Sequence, residues 1–162
     1  MRGPFTSPFA IAGNYSQIIL VASGIGITPA LGVLAHFAGY SRDCVLIWMV
    51  RSKSMLTFFA PLLSDARDCL IYTGKEKLDP TESAAVKLHG QIQIYSTRPN
   101  LEKLVNKILS GFEGVQSARE LGRDVRASWC TLYCGGSRKI EETLRKTAND
   151  LGFGWQSELF DW

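Results

Sequence analysis

The sequence predicts an α/β fold, a doubly wound and mostly parallel sheet of about five or six strands with helices on both faces. Three observations carry that prediction. Apolar runs of strand length recur along the chain: QIILVA at 17–22, CVLIWMV at 44–50, CLIYT at 69–73, QIQIYS at 91–96 and SWCTLYC at 128–134. Most lack polar alternation, as strands covered on both faces do. Helix signals fall between them, so strand and helix alternate. The chain has 162 residues, 46% hydrophobic and 20% charged, which excludes disorder and suits a single domain spanning 1–162 with one core.

A Gly/Pro-punctuated lead-in at 3–16 precedes the first strand, and after Ser23-Gly24-Ile25-Gly26 a helix is expected from Thr28 to about Phe37, with Pro29 as its first residue. A helix around Met55–Leu63 follows the second strand. The polar stretch 74–90 reads as a long connection with a single helical turn, and Asn100 to about Leu109 as a helix after the fourth strand. Residues 111–128 read as a mobile surface loop with a short helix. Arg138 to about Leu151 is a helix after the fifth strand, and the aromatic end, GFGWQSELFDW at 152–162, is expected to be tied down rather than frayed.

A formal charge of +3 and scattered basic residues argue against a nucleic-acid partner, and the apolar runs are too short for direct membrane insertion of this chain. Cys44, Cys69, Cys130 and Cys134 form no CxxC pair, and the histidines are His36 and His89 alone, so no metal site is expected. Apolar strand-like runs are the usual place for buried reduced thiols, which points to a reducing compartment.

Candidate chemistry gathers where strands end. In a parallel sheet, ligands sit beyond the carboxyl ends of the strands, and Gly24 and Gly26 let a backbone turn approach a pyrophosphate at the helix start near Thr28 and Pro29. A plain tight turn is the competing reading, and Pro29 stands where the usual dinucleotide pattern has its third glycine. The second strand ends in Arg51-Ser52-Lys53-Ser54, two cations and no carboxylate, which favours NADPH over NADH. Solvated surface charge is the competing reading there. Arg98 and Pro99 follow the fourth strand, and Cys134-Gly135-Gly136 follows the fifth, with Cys134 by itself reading as a buried structural thiol.

The pieces GPF at 3–5, GIGITP at 24–29, WMVRS at 48–52, TRPNL at 97–101, YCGG at 133–136 and ELFDW at 158–162 resemble, in that order, the NAD(P)H-binding domain of the ferredoxin–NADP reductase superfamily. Within it they are most similar to the branch of NADPH oxidases and transmembrane ferric reductases. The resemblance implies a Rossmann-like domain binding NADPH, with residues 1–16 the tail end of an FAD-binding barrel that lies upstream. It implies hydride transfer to FAD, then electron passage through haems of a membrane domain to ferric iron or dioxygen, with this chain at the cytoplasmic face. By the same likeness Gly24 and Gly26 face the pyrophosphate, and Thr28 and Pro29 border the nicotinamide ribose. Arg51 and Arg98 hold the 2′-phosphate with Ser52 or Lys53. Cys134, with Gly135 and Gly136, lies near the nicotinamide, and Trp162 or Phe160 covers the flavin. Thr97 and Gly136 depart from the family pattern of glycine and proline. A non-catalytic α/β regulatory or protein-interaction module with a degenerate nucleotide site is the alternative reading.

Overall fold

The computed structural model describes residues 9–37, 43–63, 66, 68–88, 91–113 and 122–160. The elements run α1 (Phe9–Ala12), β1 (Gln17–Ser23), α2 (Ile27–Phe37), β2 (Asp43–Met49), α3 (Lys53–Phe59), β3 (Asp68–Tyr72), α4 (Pro80–Lys87), β4 (Ile92–Tyr95), α5 (Leu101–Glu113), α6 (Arg123–Ala127), β5 (Trp129–Gly135), α7 (Arg138–Leu151) and β6 (Gly154–Leu159). The six strands form one sheet in the order β4-β3-β2-β1-β5-β6, every pair parallel. Among the described residues no helix is long and apolar enough to cross a membrane.

Alternation within β1 shows why its run is apolar throughout. Ile18, Leu20 and Ala22 pack on one side with α2, α3 and α4, whereas Ile19 and Val21 pack on the other with α5 and α7. Burial of each such isoleucine, leucine or valine contributes about 1.5–3 kcal/mol. The helices divide this way because right-handed crossovers leading leftward from β1 to β4 fall on one face, and those leading rightward to β5 and β6 fall on the other. The direction therefore reverses between β1 and β5, which opens a crevice at their carboxyl ends.

α7 shows the sequence-to-packing link in full. Ser137 caps its start by accepting from the Ile140 N–H at 3.4 Å. Leu144, Ala148 and Leu151 recur at helical spacing and are buried against the sheet. Gly152, at φ 74°, ends the helix, and the Phe153 N–H returns to the Ala148 carbonyl at 2.9 Å.

Several expectations change. The polar 74–90 connection contains α4, two turns long and closed by a capping box: Asp79 Oδ1 accepts from the Glu82 N–H at 2.8 Å and Glu82 Oε2 from the Asp79 N–H at 2.9 Å. With Val86 its one buried residue, the helix shows almost no apolar stripe, and only its cap announces it. Asp79→Ala is expected to destabilise by about 1 kcal/mol, lowering the melting midpoint roughly 2–4 °C by calorimetry. The lead-in contains α1, and the aromatic tail becomes β6, held parallel to β5. Residues 1–8, including the GPF piece, and Trp162 lie outside the described residues, as do 114–121 of the expected loop; α6 follows them.

Candidate nucleotide site

One cleft of about 920 Å³ runs along the carboxyl rim of the sheet. It reaches from Ser23 and Gly24 after β1, past Arg51 and Ser52 after β2, to Arg98 and Pro99 after β4, with the first turns of α5 and α7 as its far wall. That size suits a small-molecule or cofactor site. Among the described residues its charged lining is Arg51, Arg98 and Lys139 against Glu102, so it favours an anion. Among the described residues neither Arg51 nor Arg98 forms an ion pair, which leaves both guanidinium forks for a ligand.

The two glycines of the first bend have different reasons. Gly24 takes φ 54°, lines the cleft, and a Cβ there would meet nothing within 4 Å. Its carbonyl accepts the indole N–H of the fully buried Trp48 at 3.0 Å, so β2 pins the turn. Gly26 is buried, and a Cβ on it would lie 2.2 Å from the Cys134 carbonyl oxygen, so it is the seam between turn and β5. The bend is itself a 3-10 turn, Gly24–Gly26, leading straight into α2. Pro29 is consequently the third residue of α2 rather than its first, and neither it nor the exposed Thr28 lines the cleft.

Ser52 caps α3, its Oγ accepting from the Met55 N–H at 3.2 Å and bonding Ser54 Oγ at 2.9 Å. Lys53 is drawn away from the cleft: its Nζ pairs with Glu82 Oε2 at 3.2 Å, joining α3 to α4. Pro99 lines the cleft but stands before the helix start, because Asn100 is the cap, accepting from the Lys103 N–H at 3.1 Å. Gly135 is buried at the end of β5 and Gly136 is exposed beyond it. Phe160 follows β6 and donates its N–H to the Gly135 carbonyl at 3.1 Å.

Cys134 is buried among the residues facing α2, and its thiol is pushed up to about 12 by burial, with Glu158 adding to the rise. Cys44, Cys69 and Cys130 are also buried and pushed up to about 12 by burial. Iodoacetamide at neutral pH is therefore expected to leave all four unlabelled until urea unfolds the chain. The same shift fixes a pH dependence. Below pH 9 both states keep these protons; from 9.0 toward about 12 the unfolded chain releases protons that the folded one retains. Stability is thus expected to fall as pH rises through that window, read as a lower urea midpoint at pH 10 than at pH 7.5.

Sequence reasoning missed Tyr72, Asn100, Ser137, Lys139 and Thr143, all of which line the cleft. The end of the third strand would have pointed to Tyr72, and the one-turn spacing of Lys139 and Thr143 to a helix face turned toward the crevice.

The model of the ferric reductase NAD-binding domain matches residues 15–149. NADPH oxidase 4 of Pongo abelii is 24% identical over 166 residues, covering 92% of this chain and 26% of that protein. NADPH oxidase 4 of Homo sapiens is 24% identical over 164 residues, with 91% and 26% covered. The chain thus spans about a quarter of the length of the curated relatives it matches. With a parallel sheet, a crevice at its reversal point and that match over most of its length, the chain belongs to the ferric reductase NAD-binding domain family.

Proposed function

We propose that this chain is the NADPH-binding half of a flavin-dependent transmembrane electron-transfer enzyme, presenting nicotinamide to FAD on another domain, with haems carrying electrons on to ferric iron or dioxygen. Its place is then the cytoplasmic face of a membrane. The observation that carries the reading is the pairing of Arg51 and Arg98, neither tied to a carboxylate among the described residues, in one cleft with Gly24 at the reversal point.

The residues fit the nucleotide. Arg51 and Arg98 come from strand ends on the β2 to β4 side and suit a 2′-phosphate through charge-assisted bonds, with Ser52 beside them. The open backbone at Gly24 suits the pyrophosphate, and Pro99 and Asn100 form the wall of the adenosine end. Cys134 lies beneath the glycine turn, outside the cleft lining, and packs with the residues facing α2, so its part is to support the turn from below. Phe160, its backbone fastened to Gly135, stands on the β6 side of the rim, where it would meet the flavin. When bound, the nicotinamide supplies the hydride, and the redox chemistry is the cofactors' own. The chain's task is to hold and orient the carrier.

Calorimetric titration tests this. NADPH and adenosine 2′,5′-bisphosphate are expected to bind, and NADH much more weakly. Equal affinity for NADPH and NADH would remove the 2′-phosphate assignment, and no binding of any of them would remove the nucleotide site.

A further inference from the structure

We infer that Tyr133 is a positioning residue, its buried hydroxyl joining the two walls of the crevice and thereby setting how the pyrophosphate and nicotinamide end of NADPH is held. The inference rests on the nucleotide reading above and adds to it a residue that reaches no ligand itself.

Tyr133 lies in β5 with no exposed surface, its ring packed among the residues facing α5 and α7. Its Oη accepts the Ser137 N–H at 3.1 Å and lies 3.1 Å from Ser23 Oγ. Since a phenol accepts and donates at one oxygen, accepting from Ser137 leaves its own proton free for Ser23. Ser23 is the last residue of β1 and Ser137 caps α7, and both line the cleft. One β5 hydroxyl therefore ties the end of β1 to the start of α7, beside the point between β1 and β5 where the crossover direction reverses.

The surroundings leave this link little freedom. A Cβ at Gly135 would lie 2.1 Å from Ser23 Oγ and 2.6 Å from Tyr133 Oη, so the end of β5 is closed against the pair. Removing the hydroxyl keeps the ring's volume but strands the Ser137 N–H and Ser23 Oγ, which must then find water or each other by moving the walls. The Arg51 and Arg98 corner hangs from β2 and β4, outside the hydrogen bonds of this link, so the 2′-phosphate end is expected to respond less than the Gly24 end.

The test uses Tyr133→Phe and, as a second variant that keeps the bond between Tyr133 and Ser137, Ser23→Ala. Each is titrated with NADPH and with adenosine 2′,5′-bisphosphate, which lacks the nicotinamide end, after near-UV circular dichroism shows native packing. Tyr133→Phe is expected to weaken NADPH about 5–10-fold while the bisphosphate changes by less than about twofold, with Ser23→Ala moving the same way. Unchanged NADPH affinity in both folded variants would overturn the inference, and so would a parallel loss of both ligands, which marks general loosening. If Tyr133→Phe does not fold, Ser23→Ala decides between the same outcomes. A wild-type chain that binds neither ligand overturns the nucleotide site and this inference with it, a result distinct from loss confined to the variants.

Discussion

Arg51→Ala is expected to weaken NADPH binding by about 1.5–3 kcal/mol, roughly 10- to 150-fold, while NADH affinity barely changes. Arg51 follows β2, lines the cleft and pairs with no carboxylate among the described residues, so its guanidinium is available to a doubly charged phosphate. NADH lacks that phosphate and has nothing to lose. Arg51→Lys should recover only part of the difference, because a lysine restores charge without the planar fork. Lys53→Ala is the informative control, since Lys53 is engaged by Glu82 and a surface pair contributes about 0–1 kcal/mol. Isothermal titration of the four proteins with both nucleotides measures this directly. A loss at Lys53 equal to that at Arg51 would relocate the phosphate.

Gly26→Ala is expected to destabilise the fold by about 3 kcal/mol or more, because the new methyl would stand 2.2 Å from a main-chain carbonyl in β5 that no rotamer change can move. For a chain of this size that is a fall of roughly 6–12 °C in the melting midpoint. Gly24→Ala makes the contrast. Its Cβ meets open space, so the penalty there is the left-handed backbone alone, about 1–2 kcal/mol, with a larger effect on nucleotide binding than on stability. Urea denaturation of the two variants separates packing from ligand approach. Similar midpoints would mean that the turn can shift away from β5.

Much of the fold was legible because burial on both faces leaves an unambiguous trace. β1, β2 and β5 read directly from their largely apolar runs, and α7 was placed from Arg138 to about Leu151, as found. α4 was hidden because a short helix that buries only Val86 leaves almost no periodic signal, and Asp79-Pro80-Thr81-Glu82 was the cue. The glycine bend was legible as a turn but not as a 3-10 helix running into α2, since both conformations suit glycine.

The composition of the rim was likewise in the sequence. Which charges point inward was not. Arg51 and Lys53 sit two residues apart, read from the sequence as holder and assistant of one phosphate, and only the packing of α4 beside α3 brings Glu82 to the second and leaves the first to the cleft. Gly24 and Gly26 read as a matched pair, and only the approach of β5 makes one a ligand surface and the other a seam. Tyr133 entered the sequence reading only as the first residue of the YCGG piece, with no role attached; its partners are Ser23, far earlier in the chain, and the N–H of Ser137.

By itself, then, the order of residues determined the local alternation of strand and helix, the burial of the thiols and the supply of cations at strand ends, all set by patterns within a few residues of one another. Strand order, the crevice between β1 and β5, and the division of those cations between ligand and neighbour were decided only in the folded chain. They depend on contacts between segments distant in sequence, and no local pattern encodes where a distant backbone carbonyl or carboxylate will arrive.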